Sequence, residues 1–403
     1  MKMNSMLENK KILLGVTGGI AAYKSPIICS LLKKMGAEVK VIMTEAAQKF
    51  ITPLTLQTMS GNIVYTEMFN QLNNINVEHI SLAKWADIIL VAPATANIIG
   101  KFATGICDDL LSTVYMASRS KVMIAPAMNT YMLNSPANQN NIKILRNRGV
   151  IVLDTEKDLL ACNDIGQGKM LSPELIVDEI DSALTEKDLY GKKFVITAGP
   201  TIEPIDPVRY ITNHSSGKMG YALAERAKKR GAFVTLISGP TTVNPPKVDN
   251  FIRIKSTADM FNEVGKYFDS CDALIKAAAP ADYKPKHYSK EKIKKNSSDD
   301  LNVIELEKNP DIAKFYGNIK KNQIIVGFAA ESTNIYEYAK AKLKSKNFDM
   351  IVVNNIVKEG AGFGTDTNIA SIIDKDGETK DYEIMSKHAM ADVILNRVKK
   401  LFS

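Results

Sequence analysis

Two glycine turns in this sequence have the chemistry to hold a phosphate. One is Thr17-Gly18-Gly19-Ile20-Ala21, directly after the apolar run Ile12–Val16. The other begins at Gly199-Pro200 after "KKFVIT" and continues through "HSSGKMG" into a helix. Glycines let backbone N–H groups approach an anion, and the N-terminus of the following helix favours negative charge. Two further loops, Pro93–Asn97 and Pro126–Asn129, each follow an apolar run and each carry an asparagine. Loops at the carboxyl ends of neighbouring strands are where doubly wound folds bind ligands. A thiol, Cys162, sits in the glycine-rich stretch "LACNDIGQGKM", which reads as a flap outside the core. A flap can close over a substrate and exclude water.

Those turns require particular elements around them. Strand, glycine turn, helix and strand make a βαβ unit. That order occurs at Lys10–Thr44 and again at Phe194–Ser238, so the chain reads as two α/β domains in series, 1–189 and 190–403. In the first, the pattern predicts a helix over Ile20–Lys34 closed by Gly36, and strands at Asp87–Ala92 and Lys121–Ala125. In the second it predicts a helix from Tyr221 to Arg230, a helix Ile335–Ser345, a strand pair turning at Asp376-Gly377, and a closing amphipathic helix. The first turn is not G-x-G-x-x-G. Thr44 ends the second strand where a dinucleotide fold places an acid, and Glu45 comes one residue later, which speaks against NAD.

Composition narrows the classes. With 403 residues, 45% apolar and 24% charged, this is an ordinary globular composition of about two domains. The four cysteines, Cys29, Cys107, Cys162 and Cys271, have neither disulfide-framework nor zinc spacing. Cys29, Cys107 and Cys271 read as packing residues. No apolar run approaches the length of a membrane span, the start lacks a signal-peptide core, and a cytoplasmic location is expected. The net charge of +8 comes from lysines spread along the chain, with one cluster at Lys284–Lys295. Spread charge is a solvated surface, so neither nucleic acid nor membrane is expected as a partner.

Longer strings carry a resemblance. "GGIAAYK", "EHISLAKWAD", "APATAN", "PAMN" and "ACNDIGQGKM" resemble flavin-dependent cysteine decarboxylases. "TAGPTIEPIDPVRYITNHSSGKMG", "EKIKK", "KNPDI" and "GFAAES" resemble phosphopantothenate–cysteine ligases. Together they are similar, over nearly the whole length, to the bifunctional coenzyme A biosynthesis proteins that fuse the two activities. The resemblance implies a flavodoxin-like flavoprotein domain followed by a Rossmann-like nucleotide-binding ligase domain.

For the first domain it implies FMN. Loss of CO2 from a cysteinyl carboxyl needs an electron sink, and a flavin supplies one by first oxidising the thiol side. The family implies Gly18, Gly19, Ile20, Ala21, Thr44, Pro93, Ala94, Thr95, Ala96 and Asn97 as the cofactor cradle. It implies His79 as the base, Asn129 on the substrate carboxylate with Met132 beside it, Cys162 as proton donor, and Lys169 near the substrate phosphate. Lys169 stands where some members have arginine, which keeps the charge but not the bidentate geometry.

For the second domain it implies CTP and Mg2+, with 4′-phosphopantothenate and cysteine as substrates. The carboxylate attacks the α-phosphorus, pyrophosphate leaves, and the amine of cysteine attacks the acyl-cytidylate. The implied residues are Asn213 on the acyl-cytidylate and Lys292 on a loop over the triphosphate. Around them come Ser215, Ser216, Gly217 and Lys218, then Ala277, Ala278 and Asp282. Asn309, Pro310, Asp311, Ile312, Phe328, Lys342 and Lys346 complete the set. Pro280 departs from the small apolar residue expected there, and no metal ligand is implied. His214 reads as a backbone-turn residue. A homo-oligomer is expected, with decarboxylase domains in trimers or a dodecamer and ligase domains in dimers. An NAD dehydrogenase lacks its fingerprint here. A phosphatase-regulating binding protein would show long acidic tails or lack the catalytic residues. A flavin prenyltransferase would lack the PxMN string and the flap cysteine.

Overall fold

The computed structural model describes residues 7–69, 77–159, 165–293, 303–331, 335–355 and 365–402. One compact unit ends at Thr185 and a second begins at Glu186. The division lies four residues before the one read from the sequence, because Leu189 is already buried in the second unit's core with Phe194.

The first unit is built on β1 (Lys11–Val16), β2 (Glu38–Met43), β3 (Val64–Tyr65), β4 (Ile88–Ala94), β5 (Lys121–Pro126) and β6 (Ile151–Val152). They form one parallel sheet in the order β3-β2-β1-β4-β5-β6. Without the two-residue edge strand β3, the order is that of a flavodoxin-like fold. Both faces are covered. Ile12, Leu14 and Val16 pack with Ile28, Leu32 and Ile176 on one side, and Leu13 packs with Phe102 and Leu111 on the other. A strand buried on both faces reads as a continuous apolar run, which is how β1 and β4 appear in the sequence. The expected helix Ile20–Lys34 is a 3-10 turn, Ile20–Lys24, followed by an α-helix, Ser25–Lys34. The break falls where Pro26 fits: the first turn, which needs no backbone donor. The flap is more regular than its composition suggests. Its arms β7 (Thr155–Leu159) and β8 (Ile165–Met170) pair antiparallel.

In the second unit β9 (Lys193–Ala198) is the central strand. Two short strands, β10 (Ile202–Pro204) and β11 (Tyr210–Thr212), pair with each other. The main sheet continues with β12 (Phe233–Ser238), β13 (Asn250–Arg253) and β14 (Ala273–Lys276). A second small pair is β15 (Tyr283–Pro285) with β16 (Leu306–Lys308). The sheet is completed by β17 (Ile324–Glu331), β18 (Met350–Asn355), β19 (Thr367–Asp374) and β20 (Thr379–Ser386). Its order is β13-β12-β9-β14-β17-β18-β19-β20. The six strands from β13 to β18 are parallel and repeat the winding of the first unit, while β19 and β20 add an antiparallel edge. The hairpin turn falls at Gly377, as expected. The helix expected from Tyr221 starts earlier, at Lys218, because Gly217 takes a left-handed φ of 75° and serves as its N-cap. Part of the lysine cluster is paired across β15 and β16, Lys284 with Glu307 at 3.1 Å and Lys286 with Glu305 at 3.2 Å.

Candidate functional site

A cavity of about 960 Å3 opens beyond the carboxyl ends of β1, β2, β4 and β5. Gly18, Gly19, Ile20 and Ala21 line it after β1, Thr44 after β2, Thr95, Ala96 and Asn97 after β4, and Asn129 and Met132 after β5. Lys169 reaches it from β8. Local chemistry fixes these turns. Thr17 Oγ1 donates to Pro93 O at 2.7 Å and accepts from Thr95 N at 3.2 Å, which ties the turn after β1 to the turn after β4. Thr44 Oγ1 accepts from Ala47 N at 3.3 Å. Gly18 allows no side chain: a Cβ there would lie 2.4 Å from Ala46 Cβ. Asn129 caps the helix Thr130–Asn134, its Oδ1 accepting from Tyr131 N at 2.8 Å, so the side chain's N–H2 end is its donor.

Not every expected residue joins this cavity. Pro93 is buried within β4, and Ala94 is fully buried there, so these two support the wall and do not line it. His79 is half-buried on the helix Glu78–Trp85 and is absent from the lining. Cys162 lies outside the described residues. Sequence reading missed Lys101, Asp108 and Asp109 in the wall. Lys101 Nζ pairs with both carboxylates, at 2.6 and 2.8 Å. Burial pushes Asp109 up, but hydrogen bonds from Lys101 and Ser112 outweigh it and hold its carboxyl below the usual range. Of the cysteines read as packing, Cys29 and Cys271 are buried, and burial raises their thiols to about 11 and about 12. Cys107 departs from that reading. It is exposed in the connection after the helix Ala96–Thr104.

A second cavity, of about 550 Å3, lies beyond the carboxyl ends of β14 and β17. Asn213, Ser215, Ser216, Gly217 and Lys218 form one wall. Ala277, Ala278 and Asp282 form another, facing Asn309, Pro310, Asp311 and Ile312, with Phe328, Lys342 and Lys346. Asn213 Nδ2 donates to Ala279 O at 3.2 Å and Pro280 O at 3.1 Å, so it clamps the loop after β14. Asn309 Nδ2 donates to Ala281 O at 2.9 Å, while its buried Oδ1 accepts no hydrogen bond from the described residues. Lys346 pairs with Asp311 at 3.1 Å and Lys218 with Asp366 at 2.6 Å. The lining also holds Lys276 and Lys387, which sequence reading missed because a lysine at a strand end or helix start looks like ordinary surface. The resulting excess of lysine over carboxylate suits a polyanion.

Lys292 is exposed and is not part of this lining. Its neighbour Ile293 is tethered: its N–H donates to Asp206 at 3.3 Å and its carbonyl accepts from Arg209 Nη2 at 3.1 Å. Among the described residues no group of three or more His, Cys, Asp or Glu could hold a metal ion. No helix of the described residues is long and apolar enough to cross a membrane.

Two like-wound α/β units thus each carry a cavity at the carboxyl ends of their strands. Residues 1–185 match the family described as Flavoprotein, and residues 189–402 match the DNA/pantothenate metabolism flavoprotein C-terminal domain. The chain is 48% identical to the coenzyme A biosynthesis bifunctional protein CoaBC of Bacillus subtilis (strain 168) over 98% of each chain. It is 46% identical to the protein of the same description from Borreliella burgdorferi, over 97% of this chain and 99% of that one. A crystal structure of the C-terminal domain of such a protein is 42% identical and covers 54% of this chain and 98% of its own, with a TM-score of 0.47. The chain belongs to the family of coenzyme A biosynthesis bifunctional proteins. It is a bifunctional enzyme, a decarboxylase joined to a ligase, and its first domain is a flavoprotein domain.

Proposed function

We propose that the second domain joins 4′-phosphopantothenate to cysteine at the expense of CTP, and that the first decarboxylates the product to 4′-phosphopantetheine with FMN. The observation that carries this reading is convergence: expected residues from widely separated segments line two separate cavities, each at the carboxyl ends of a doubly wound sheet.

In the first domain the cavity volume suits a cofactor with substrate, and Gly18 in its wall lets the turn after β1 pack directly on Ala46. Gly18 to Ala21, Thr44 and Thr95 to Asn97 would hold FMN, which supplies a two-electron sink when bound. The donor end of Asn129 orients the substrate carboxylate, beside Met132. Lys169 offers an ammonium to the substrate phosphate. Cys162 donates the last proton. His79 takes the proton from the substrate.

In the second domain the lysines gather the triphosphate, with Mg2+ carried on the phosphates and no protein ligand assigned to it. The orphan Oδ1 of Asn309 offers an acceptor to a donor group of the nucleotide. Asn213 holds the acyl-cytidylate. Lys292 places its charge where negative charge builds as the carboxylate attacks. Pyrophosphate leaves in that step. The amine of cysteine then displaces CMP to form the amide.

Product analysis by mass spectrometry tests the reading. From 4′-phosphopantothenoylcysteine the wild-type chain yields 4′-phosphopantetheine. Cys162→Ser yields the ene-thiol two hydrogens lighter, and His79→Asn yields neither. Normal product from either variant overturns the decarboxylase assignment.

A further inference from the structure

Lys276 ends β14, between Thr197 of β9 and Gly327 of β17, at the floor of the second cavity. Among the described residues it has no hydrogen-bond or ion-pair partner, unlike Lys346 and Lys218 in the same lining. Water reaches it only in part, and what it faces is the cavity. A lysine at the end of a central strand, with no direct partner among the described residues, is an unfilled half of an interaction.

We propose that Lys276 is a further phosphate-contacting residue of the ligase site, one that takes up a proton as the nucleotide polyanion arrives. This rests on the nucleotide reading of the second cavity. The charged groups that act on Lys276 are Lys346, Asp311 and Asp282. Lys218, Lys387 and Lys342, with His214, complete the ionisable groups of the surrounding walls. Burial, then the like charge of Lys346, push the Lys276 ammonium down to about 7, while Asp311 and Asp282 hold it up only in part. The empty cavity therefore holds a largely neutral amine at pH 8. A triphosphate brings several negative charges to the same floor and restores the ammonium, which raises its pKa. A group whose pKa is raised by a ligand takes up protons between the two values, so affinity falls as pH rises through that window.

Calorimetry of CTP–Mg2+ binding to the full-length chain at pH 8, in buffers of different ionisation enthalpy, measures the uptake directly. Wild type should take up close to one proton per nucleotide, and affinity should fall by up to about tenfold per pH unit above pH 8. Lys276→Met should lose the uptake and bind about ten- to a hundredfold more weakly. Lys276→Arg, whose guanidinium stays charged, should bind within a few-fold of wild type with no uptake, and so tests the assignment even where the methionine variant fails to fold. His214→Gln should keep the uptake. If CTP binds wild type without uptake, or with equal uptake in the Lys276 variants, the assignment to Lys276 is wrong and the nucleotide reading stands. If CTP does not bind wild type at all, both fall.

Discussion

Arg209 grips Asp206 with two hydrogen bonds that converge on one oxygen, Nε to Oδ2 at 2.9 Å and Nη2 to Oδ2 at 2.6 Å, and the pair together holds both backbone groups of Ile293. Ile293 directly follows Lys292, so a turn in the "DPVR" stretch fixes one end of the segment that carries the loop lysine. Hydrogen bonds from Arg209 and from the backbone of Val208, Arg209 and Ile293 hold the Asp206 carboxyl far below the usual range. A depressed carboxyl keeps its charge above its unfolded value, so the clamp stays closed across neutral pH. Asp206→Ala should therefore lower pyrophosphate release about ten- to a hundredfold, with the same factor at pH 6 and pH 9. A steady-state pyrophosphate assay on the full chain checks this, and unchanged release would separate the clamp from the reaction.

Gly18 bears on the flavin. A methyl at this position meets Ala46 Cβ at 2.4 Å and the Ala46 carbonyl carbon at 2.9 Å, so the turns after β1 and β2 must part. Gly18→Ala should purify with much less flavin than wild type. Ligation should persist, because its site lies in the other domain. Flavin released by denaturation, measured per chain, gives the answer.

Glu225 should set the acid limit of the second domain. Its carboxylate accepts from Lys229 at 2.9 Å and meets His388 at 3.1 Å, joining the helix Lys218–Lys229 to the helix Lys387–Lys400. Burial pushes the carboxyl up, yet the hydrogen bond from His388 and the Lys229 ammonium outweigh it and bring it from 4.5 to about 2. Stability from this group is therefore full above pH 4.5 and lost as pH falls toward 2. Glu225→Gln should remove on the order of 2–3 kcal/mol at pH 7 and flatten the acid limb of that domain's unfolding. Calorimetric scans from pH 7 to pH 3 would show it.

Much of this architecture is written in the sequence. The two βαβ units are legible because strands buried on both faces must be continuous apolar runs, and Ile12–Val16 and Phe194–Ala198 are such runs. The cavity-lining turns were legible from their glycines and strand-end asparagines. What escaped depends on long-range placement. Asp206 and Arg209 look like a surface turn until Ile293 is brought beside them. Lys276 reads as one lysine among many until β14 places it on a cavity floor. Cys107 reads as packing only because it matches no catalytic position, yet it is exposed just before the helix Leu110–Ala117, capped by Asp109. The helix before Tyr221 was placed three residues late because Gly217 was read as part of the turn and not as the cap.

The central claim, two independent reactions on one chain, is tested most directly by one variant and two substrates. Lys292→Gln is supplied first with 4′-phosphopantothenate, cysteine and CTP, and then with 4′-phosphopantothenoylcysteine alone. Pyrophosphate and 4′-phosphopantetheine are measured in each case. Removing one electrostatic donor from a developing charge should cost about 10²–10³ in the rate of pyrophosphate release, while decarboxylation of the supplied intermediate proceeds at the wild-type rate. Near-normal pyrophosphate release, or parallel loss of both activities, would contradict the account.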